Sequence, residues 1–381
     1  GKRKTSRKLV IRPTSETAIY YMFSLWVRSH ADLPMKVYQT VSVFRLETKS
    51  TKPLIRDREM WPFNETHTVH ATPEEAEKQI EIGIQVYKEL LTRLPLPYLL
   101  VKKPEWELFP GALSAYEFYT LMPDGKVLET GSVNNLGQAF SKVFNITFEK
   151  YDGTRDYAHQ TCYGQSERLL ASVIAVHGDD HGLVLPTSIA PTSVVIVPIL
   201  YAKGAEEVLN YARMIDRLLK EKGFTATLDR RELTPGEKFY YWEKRGIPIR
   251  LEVGLLETEH RTVTIVQRHT LQRKEAPLED LVREIEEALN ALDQDLLTRA
   301  ESLMKEDMGS VSNLADVPDA VEKGKTILEV PFCGENNCKL LVEEETDMEI
   351  IGFSMERNTA RRRCLVCVKE AKETAYLAAT Y

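Results

Sequence analysis

Apolar positions change their spacing twice along this 381-residue chain. From Leu9 to about Pro191 the runs are short or alternating: Leu9 to Ile11, Val37 to Phe44, Thr66 to Ala71 and Ile146 to Phe148 read as strands, whose side chains point to opposite faces in turn. One helix start interrupts them. Thr72-Pro73-Glu74-Glu75 offers an N-cap, a proline in the first turn and a carboxylate three residues on, predicting a helix to about Thr92. Antiparallel pairing suits this irregular mixture better than βαβ alternation. A different rhythm begins at Ser193. Val194 to Leu200 reads as a buried strand, and Val208, Ala212, Ile215 and Leu219 share one helix face that Gly223 closes. Strands at Phe224 to Leu228, Ile249 to Val253 and Thr262 to Gln267, with a short helix opening at Pro235-Gly236, complete an α/β pattern. A long charged helix spans Leu278 to Lys305, and the remaining stretch, Thr326 to Tyr381, changes composition again. Three domains are expected, at 1–191, 192–290 and 291–381.

Bulk composition narrows the setting. At 43% hydrophobic and 28% charged, with no apolar run near the roughly 18 residues of a membrane span, the chain reads as a soluble, cytoplasmic protein without membrane association. Its basic start, GKRKTSRKLVIRPTSE, has no signal-peptide apolar core. A net charge of -7 argues against indiscriminate nucleic-acid binding, yet cations gather at the N-terminus, from Lys49 to Arg58, and at Arg361-Arg362-Arg363. Four of the five cysteines form two close pairs, which fits metal binding better than a disulfide framework.

Four separated segments carry candidate chemistry. Arg12-Pro13-Thr14-Ser15-Glu16 places a hydroxyl and a carboxylate after an apolar run, suited to an ammonium or secondary amine, although Thr14 or Ser15 could equally be a helix N-cap. In Phe44-Arg45-Leu46-Glu47, read as a strand, Arg45 and Glu47 share a face, and the following loop adds Lys49, Lys52, Arg56 and Arg58. Such a face suits ATP or is simply solvated. Leu128 to Gln138 is rich in small and polar groups and reads as a pocket floor or a tight turn. Cys162 to Arg168 leads into an apolar helix from Leu169 to Val176, with Arg168 at its entrance.

Together these segments resemble the class II aminoacyl-tRNA synthetases of the prolyl type. RPTSE resembles the family's proline-binding loop, FRLE with Arg56 its motif 2, the segment ending in Arg168 its motif 3, and HGDDHGLVLP the stretch after it. The resemblance implies an α+β catalytic core built on an antiparallel sheet, an α/β anticodon-binding domain and a small α/β zinc-binding C-terminal domain, as in archaeal and eukaryotic members. It implies a ligase that makes prolyl-adenylate from L-proline and ATP with Mg²⁺, then charges tRNA(Pro). Thr14 and Glu16 are expected at the imino group, Arg45 at the carboxylate and α-phosphate, and Phe63, His67 and Asn134 around the proline ring. Glu47, Arg56, Glu129, Ser132, Ser166 and Arg168 are expected around ATP, with Arg45 and Arg168 catalytic. The family pattern has Gln or Glu at 129, Thr at 132 and 166, and His at 134, so Ser132, Ser166 and Asn134 are departures.

No counterpart of motif 1, which builds much of the family's dimer interface, is recognised before Arg12. The chain is thus expected to begin inside the catalytic domain, truncated or naturally shortened, with a homodimer in the intact protein. Met60 to Thr161 is too short for an editing insertion, so activation of alanine or cysteine is expected to be measurable. His177 and Asp179-Asp180 read as a capped turn rather than as acid/base groups. The Thr234 to Arg250 segment resembles the anticodon-binding domain, with Lys238 and Arg250 as expected contacts, while Phe239 and Trp242 suit either unstacked bases or a helix core. Cys333-x4-Cys338 and Cys364-x2-Cys367 have the spacing of a closed tetrahedral, structural Zn²⁺ site. The terminal Tyr381 is expected to fold back onto the catalytic domain. Two other readings compete: a non-catalytic synthetase-like protein that binds tRNA or senses amino acids, which has little need of Arg45 and Arg168, and another small-amino-acid ligase.

Overall fold

Alternation of apolar and polar side chains builds the largest of the three sheets among the described residues. The computed structural model describes residues 7–48, 50–201, 203–356, 362–367 and 369–381. The basic positions within 1–6, Lys49 and Arg361 lie outside the described residues. Elements follow in the order α1 (Glu16–Trp26), β1 (Met35–Phe44), β2 (Glu59–His70), α2 (Pro73–Arg93), β3 (Leu99–Lys102), β4 (Ser114–Leu121) and β5 (Val127–Gly137). Next come α3 (Ala139–Phe144), the small hairpin β6 (Thr147–Glu149) and β7 (Arg155–Tyr157), β8 (His159–Gln165) and α4 (Arg168–His177). The middle of the chain supplies β9 (Val194–Pro198), α5 (Ala205–Glu221), β10 (Ala226–Leu228), α6 (Pro235–Lys244), β11 (Ile249–Val253), α7 (Leu255–His260), β12 (Thr262–Gln267), β13 (Arg273–Pro277) and α8 (Leu281–Asp307). It ends with β14 (Met308–Ser310), α9 (Val317–Glu322), β15 (Ile327–Phe332), α10 (Asn336–Thr346), β16 (Glu349–Ser354) and β17 (Glu373–Ala378).

The chain forms two compact units. One runs through Glu89 and resumes over Tyr98–Ser172 and Met304–Tyr381; the other takes Leu90–Pro97 and Val173–Leu303. In the first, ten strands lie in the order β1-β2-β8-β5-β4-β3-β16-β17-β15-β14. Every neighbouring pair is antiparallel except β14 and β15. The cysteine-bearing segment therefore continues the sheet of the N-terminal segment: β16 joins β3, pairing Phe353 with Lys102. Helix α1 buries Tyr20 and Phe23 fully against Leu136, Ile146 and Phe148. The C-terminus folds back as expected, with the Val127 amide donating to the Ala379 carbonyl at 2.9 Å and the Tyr381 hydroxyl to Asp124 at 2.6 Å.

Local signals explain the element ends. The Glu75 amide donates to Thr72 Oγ1 at 3.2 Å, and the Glu75 carboxylate reaches back to the Ala71 amide at 3.0 Å, starting α2 where the capping residues predict. Two expected strands need correction. Leu9, Val10 and Ile11 are 80, 89 and 65% exposed and form no strand, because nothing among the described residues pairs with them and an unpaired ladder leaves its polar groups to water. Strand β1 stops at Phe44, opposite the first residue of β2, so Arg45 and Glu47 follow the strand rather than share its face. One rung survives, from the Arg45 amide to the Arg58 carbonyl at 2.9 Å.

In the second unit the sheet order is β10-β9-β11-β12-β13, parallel among β10, β9 and β11 and antiparallel beyond. Val208, Ala212, Ile215 and Leu219 bury the expected face of α5 against this sheet. Thr234 and Glu237 form a capping box that starts α6, with Pro235 in its first turn.

Candidate active site

Two adjacent cross-strand rows form the floor of a cleft in the first unit. Partners in antiparallel strands share a sheet face, and so do residues two apart along one strand. The register sets Ala115, Asn134, Cys162, His67 and Val37 in one row across β4, β5, β8, β2 and β1. The next row is Glu117, Ser132, Gly164, Glu65 and Gln39. Above these rows lies a cavity of about 450 Å³, walled also by Phe63, Phe109 and Phe140 and closed by Thr14, Glu16 and Arg45. A smaller cavity of about 70 Å³ shares Arg45, Phe63, Ser132 and Gly164 with it and adds Glu129, Ser166 and Arg168. Gly164 leaves the floor bare: a Cβ there would stand 3.2 Å from Phe63 Cζ and 3.3 Å from the Asn64 carbonyl oxygen.

A hydrogen-bond chain fixes the polar wall. His67, 1% exposed, has Nδ1 at 3.1 Å from the Tyr20 hydroxyl and Nε2 at 3.2 Å from Glu65 Oε2. Burial pushes the Tyr20 hydroxyl well up, so it stays protonated and donates to Nδ1, which leaves Nε2–H to donate to Glu65. Gln39 Nε2 donates to the other Glu65 oxygen at 2.7 Å. Burial works against the Glu65 charge, but the hydrogen bonds from His67 and Gln39 outweigh it and hold the carboxyl below its usual range. The Thr14 hydroxyl donates to Glu16 at the entrance of α1. Ser15 takes the N-cap position there without a capping side-chain bond.

Arg168 is held across the small cavity. Its Nε donates to the Ile55 carbonyl at 2.9 Å and its Nη1 to Glu129 at 3.2 Å, which sets the plane of the guanidinium. Ser166 Oγ accepts from the Arg168 amide at 3.3 Å. Glu47 and Arg56 line neither cavity; they approach each other at 3.9 Å on the loop after β1. The structure thus brings together Thr14, Glu16, Arg45, Phe63, His67, Asn134, Glu129, Ser132, Ser166 and Arg168. His177 and Asp179 belong to the second unit and have structural partners within it, the Leu94 carbonyl and Arg268. Cys162 is in the floor, as its expected burial near the site implied, and burial pushes its thiol well up, so it is a poor nucleophile.

Sequence reading missed Glu65, Glu117, Gly164 and Glu107. The first was legible: in Phe63-Asn64-Glu65-Thr66-His67 the same alternation that puts Phe63 and His67 on one face includes Glu65. Glu117 and Gly164 needed the inter-strand register. Glu107 sits in a short turn with no periodicity to read.

Two further clusters answer to other expectations. Three buried cysteines, Cys333, Cys338 and Cys364, and half-buried Cys367 bring their sulfurs within 4.8 Å of one another, with Cys367 and Cys333 at 3.9 Å. A tetrahedral metal with thiolate bonds of about 2.3 Å separates its sulfurs by about 3.8 Å, so the cluster suits one metal ion. In the second unit, Lys238 is 3% exposed and donates to the Asp229 carbonyl at 3.4 Å. Arg250 lies 3.0 Å from Glu252 and 3.6 Å from Glu243, over the Phe239 ring. Phe239 and Trp242 pack on Val195, Val197 and Ile247, the core alternative rather than a base platform. Tyr241 carries two cations, with the Arg231 and Arg245 guanidinium carbons 3.6 and 3.5 Å from its centre. Burial opposes the charge on Asp229, but Arg231 and Trp242 hydrogen bonds hold its carboxyl down at about 2.

Three family models match in order: the class II tRNA synthetase core domain (G, H, P, S and T) over residues 2–177, the anticodon binding domain over 193–288, and the C-terminal domain of prolyl-tRNA synthetase over 314–381. Among curated relatives, proline–tRNA ligase of Methanosphaera stadtmanae is 43% identical across 100% of this chain and 81% of its own length. That of Pyrococcus abyssi is 46% identical across 98% of this chain and 79% of its own. Prolyl-tRNA synthetase from Cryptosporidium parvum, solved with halofuginone and AMPPNP, superposes with a TM-score of 0.94 at 32% identity, covering 100% of this chain and 79% of that one. The same enzyme solved with L-proline and AMP gives 0.92 over 97% of this chain and 78% of that one.

Proposed function

The chain belongs to the class II prolyl-tRNA synthetases, and from that membership we propose how its cleft joins L-proline to ATP and passes the prolyl group to the acceptor end of tRNA(Pro). The observation that carries the proposal is the shared wall: Arg45 and Arg168 line one small cavity, and Arg45 also closes the larger one that holds Glu16, Glu65 and His67.

Proline takes the larger cavity. Thr14 and Glu16 receive its imino group, a cation that a carboxylate pairs with directly, while Phe63, His67 and Asn134 face its ring. Arg45 holds both the proline carboxylate and the α-phosphate. Attack by the carboxylate oxygen on phosphorus releases pyrophosphate, and the developing charge falls between Arg45 and Arg168, so catalysis is positioning plus fixed electrostatics. A tRNA hydroxyl then attacks the prolyl carbonyl and AMP leaves. Glu129, Ser132 and Ser166 line the ATP side, and Glu47 and Arg56 are assigned to the adenine amino group and the outer phosphates from the motif 2 resemblance. Glu129 is the acidic group lining the small cavity among the described residues, a hard oxygen donor of the kind Mg²⁺ takes. When bound with ATP, Mg²⁺ would neutralise phosphate charge. A purely binding or sensing homologue is not favoured, because it would have no use for two arginines bent over one cavity.

The test is amino-acid-dependent ATP–pyrophosphate exchange across all twenty amino acids. Proline should dominate, with slower exchange for alanine or cysteine; no proline-dependent exchange would overturn the proposal. Gly164→Ala should raise the proline KM by about tenfold in the same assay, because its Cβ meets a backbone oxygen that cannot yield.

The finer assignments follow the same membership. Zn²⁺ suits the four sulfurs, because four thiolates within 4.8 Å of one another would repel without a cation between them. Thiols kept for a metal fit a reducing, cytoplasmic compartment. Exposed Tyr21, Leu25, Trp26 and Tyr38 support a homodimer. In the anticodon-binding domain, Lys238 and Arg250 act on tRNA(Pro) by holding the surface that presents Tyr241 between Arg231 and Arg245. Tyr241→Ala should raise the tRNA KM by about tenfold in aminoacylation, the worth of one stacked base.

A further inference from the structure

One turn of chain touches both the larger cavity and the cysteine cluster. In the stretch Glu105–Glu107, Glu107 lines the cavity, while the Trp106 ring packs edge-on against Phe332 and Phe353 at centroid distances of 6.2 and 6.0 Å. Phe332 directly precedes Cys333 in the chain. On the other side of the turn, Glu107 pairs with Lys339 at 3.1 Å, and Lys339 directly follows Cys338. Both grips on the turn therefore come from residues next to sulfur ligands. Lys103 makes a third link. It is 9% exposed, donates to the Ile351 carbonyl of β16 at 3.1 Å, and lies 3.2 Å from Glu117 and 4.0 Å from Glu107. Tyr119 holds the same Glu117 oxygen at 2.5 Å, and Glu117 lines the cavity beside Ser132.

We propose that the cysteine-cluster module forms one wall of the proline pocket at a distance, with Lys339, Trp106 and Lys103 as positioning residues that hold Glu107 and Glu117 against the cavity. The physical reason is charge. Two carboxylates lining one cavity repel each other and would swing apart or take up protons, and burial already pushes the Glu117 carboxyl up to about 7. Lys103 between them and Lys339 beyond them supply the counter-charge; Lys103 is anchored on β16, and Lys339 sits on α10 directly after Cys338. Loosening that anchorage moves the wall, which weakens proline binding without removing any group assigned to the chemistry.

This inference rests on the reading of the larger cavity as the proline site. The experiment is a double-mutant cycle on the full chain, with Lys339→Met, Glu107→Gln and both together. Proline affinity is measured by calorimetry, and kcat and the proline KM are measured in exchange. Each single change should weaken proline affinity by about tenfold with kcat within about threefold, and the pair should be no worse than either alone. Lys339→Arg should restore affinity to within about threefold of the parent. Multiplying effects, or unchanged affinity in Glu107→Gln, would overturn the proposal. Should Lys339→Met fail to fold, Glu107→Gln decides alone, since it lies outside the cysteine module. Glu16→Gln separates the two levels. If it too leaves proline affinity unchanged, the cavity is not the proline site; if it weakens affinity and Glu107→Gln does not, only the wall is wrong.

Discussion

Arg168→Ala is expected to lower kcat/KM for proline-dependent exchange by about a thousandfold, with little change in the folded state. Two of its nitrogens are already spent on the Ile55 carbonyl and Glu129, so the side chain enters the reaction with its plane set and little entropy left to lose. A fixed cation facing the phosphate is worth most where water is scarce, and the cavity beside it is only about 70 Å³. Arg168→Lys should recover little, because an ammonium cannot hold both partners in one plane while facing a third. Glu129→Gln serves as the comparison: it keeps a hydrogen-bond acceptor for Nη1 but removes a charge, and should cost far less than loss of the arginine. An Arg168→Ala enzyme within about tenfold of the parent would mean that Arg45 alone carries the phosphate, and the two-arginine mechanism would be wrong.

Stripping metal from the cysteine cluster should have the second large effect, on folding. Bound structural zinc contributes about 10–16 kcal/mol to small thiolate modules near neutral pH. Here Cys333, Cys338 and Cys364 belong to the buried core of the module, together with Val330, Val342, Ile350 and Leu377. Chelation, or Cys364→Ser, is expected to lower the thermal midpoint by about 10 °C or more and to promote aggregation. The reason for aggregation is topological. Strand β16 covers the edge of β3, so its release would expose an unpaired strand of the catalytic sheet. Elemental analysis showing no metal in protein purified without chelator, or an unchanged midpoint after chelation, would defeat this expectation.

Local chemistry explains why much of the molecule was readable beforehand. The cap at Thr72, the buried face of α5, the Thr234 box and the paired cysteines are signals contained within a few residues, and each appears where the spacing puts it. Phe44 to Glu47 misled because its alternation is too short to show where the partner strand ends. For Lys238 and Arg250 the sequence showed only a cation beside aromatics, and the structure adds their partners, the Asp229 carbonyl and Glu252.

By itself the sequence determined which chemical groups the protein owns and where its capped helices and periodic faces lie, since capping and periodicity are properties of neighbours along the chain. Only the tertiary structure decided that Glu117, Ser132, Gly164 and Glu65 stand in a single row, on four strands drawn from positions far apart. Register between distant strands is set by the packing of whole sheet faces, where a slip of one residue would turn every one of these groups away from the cavity. The same holds for Glu107 and Lys339, which meet across more than half the chain because β16 found β3.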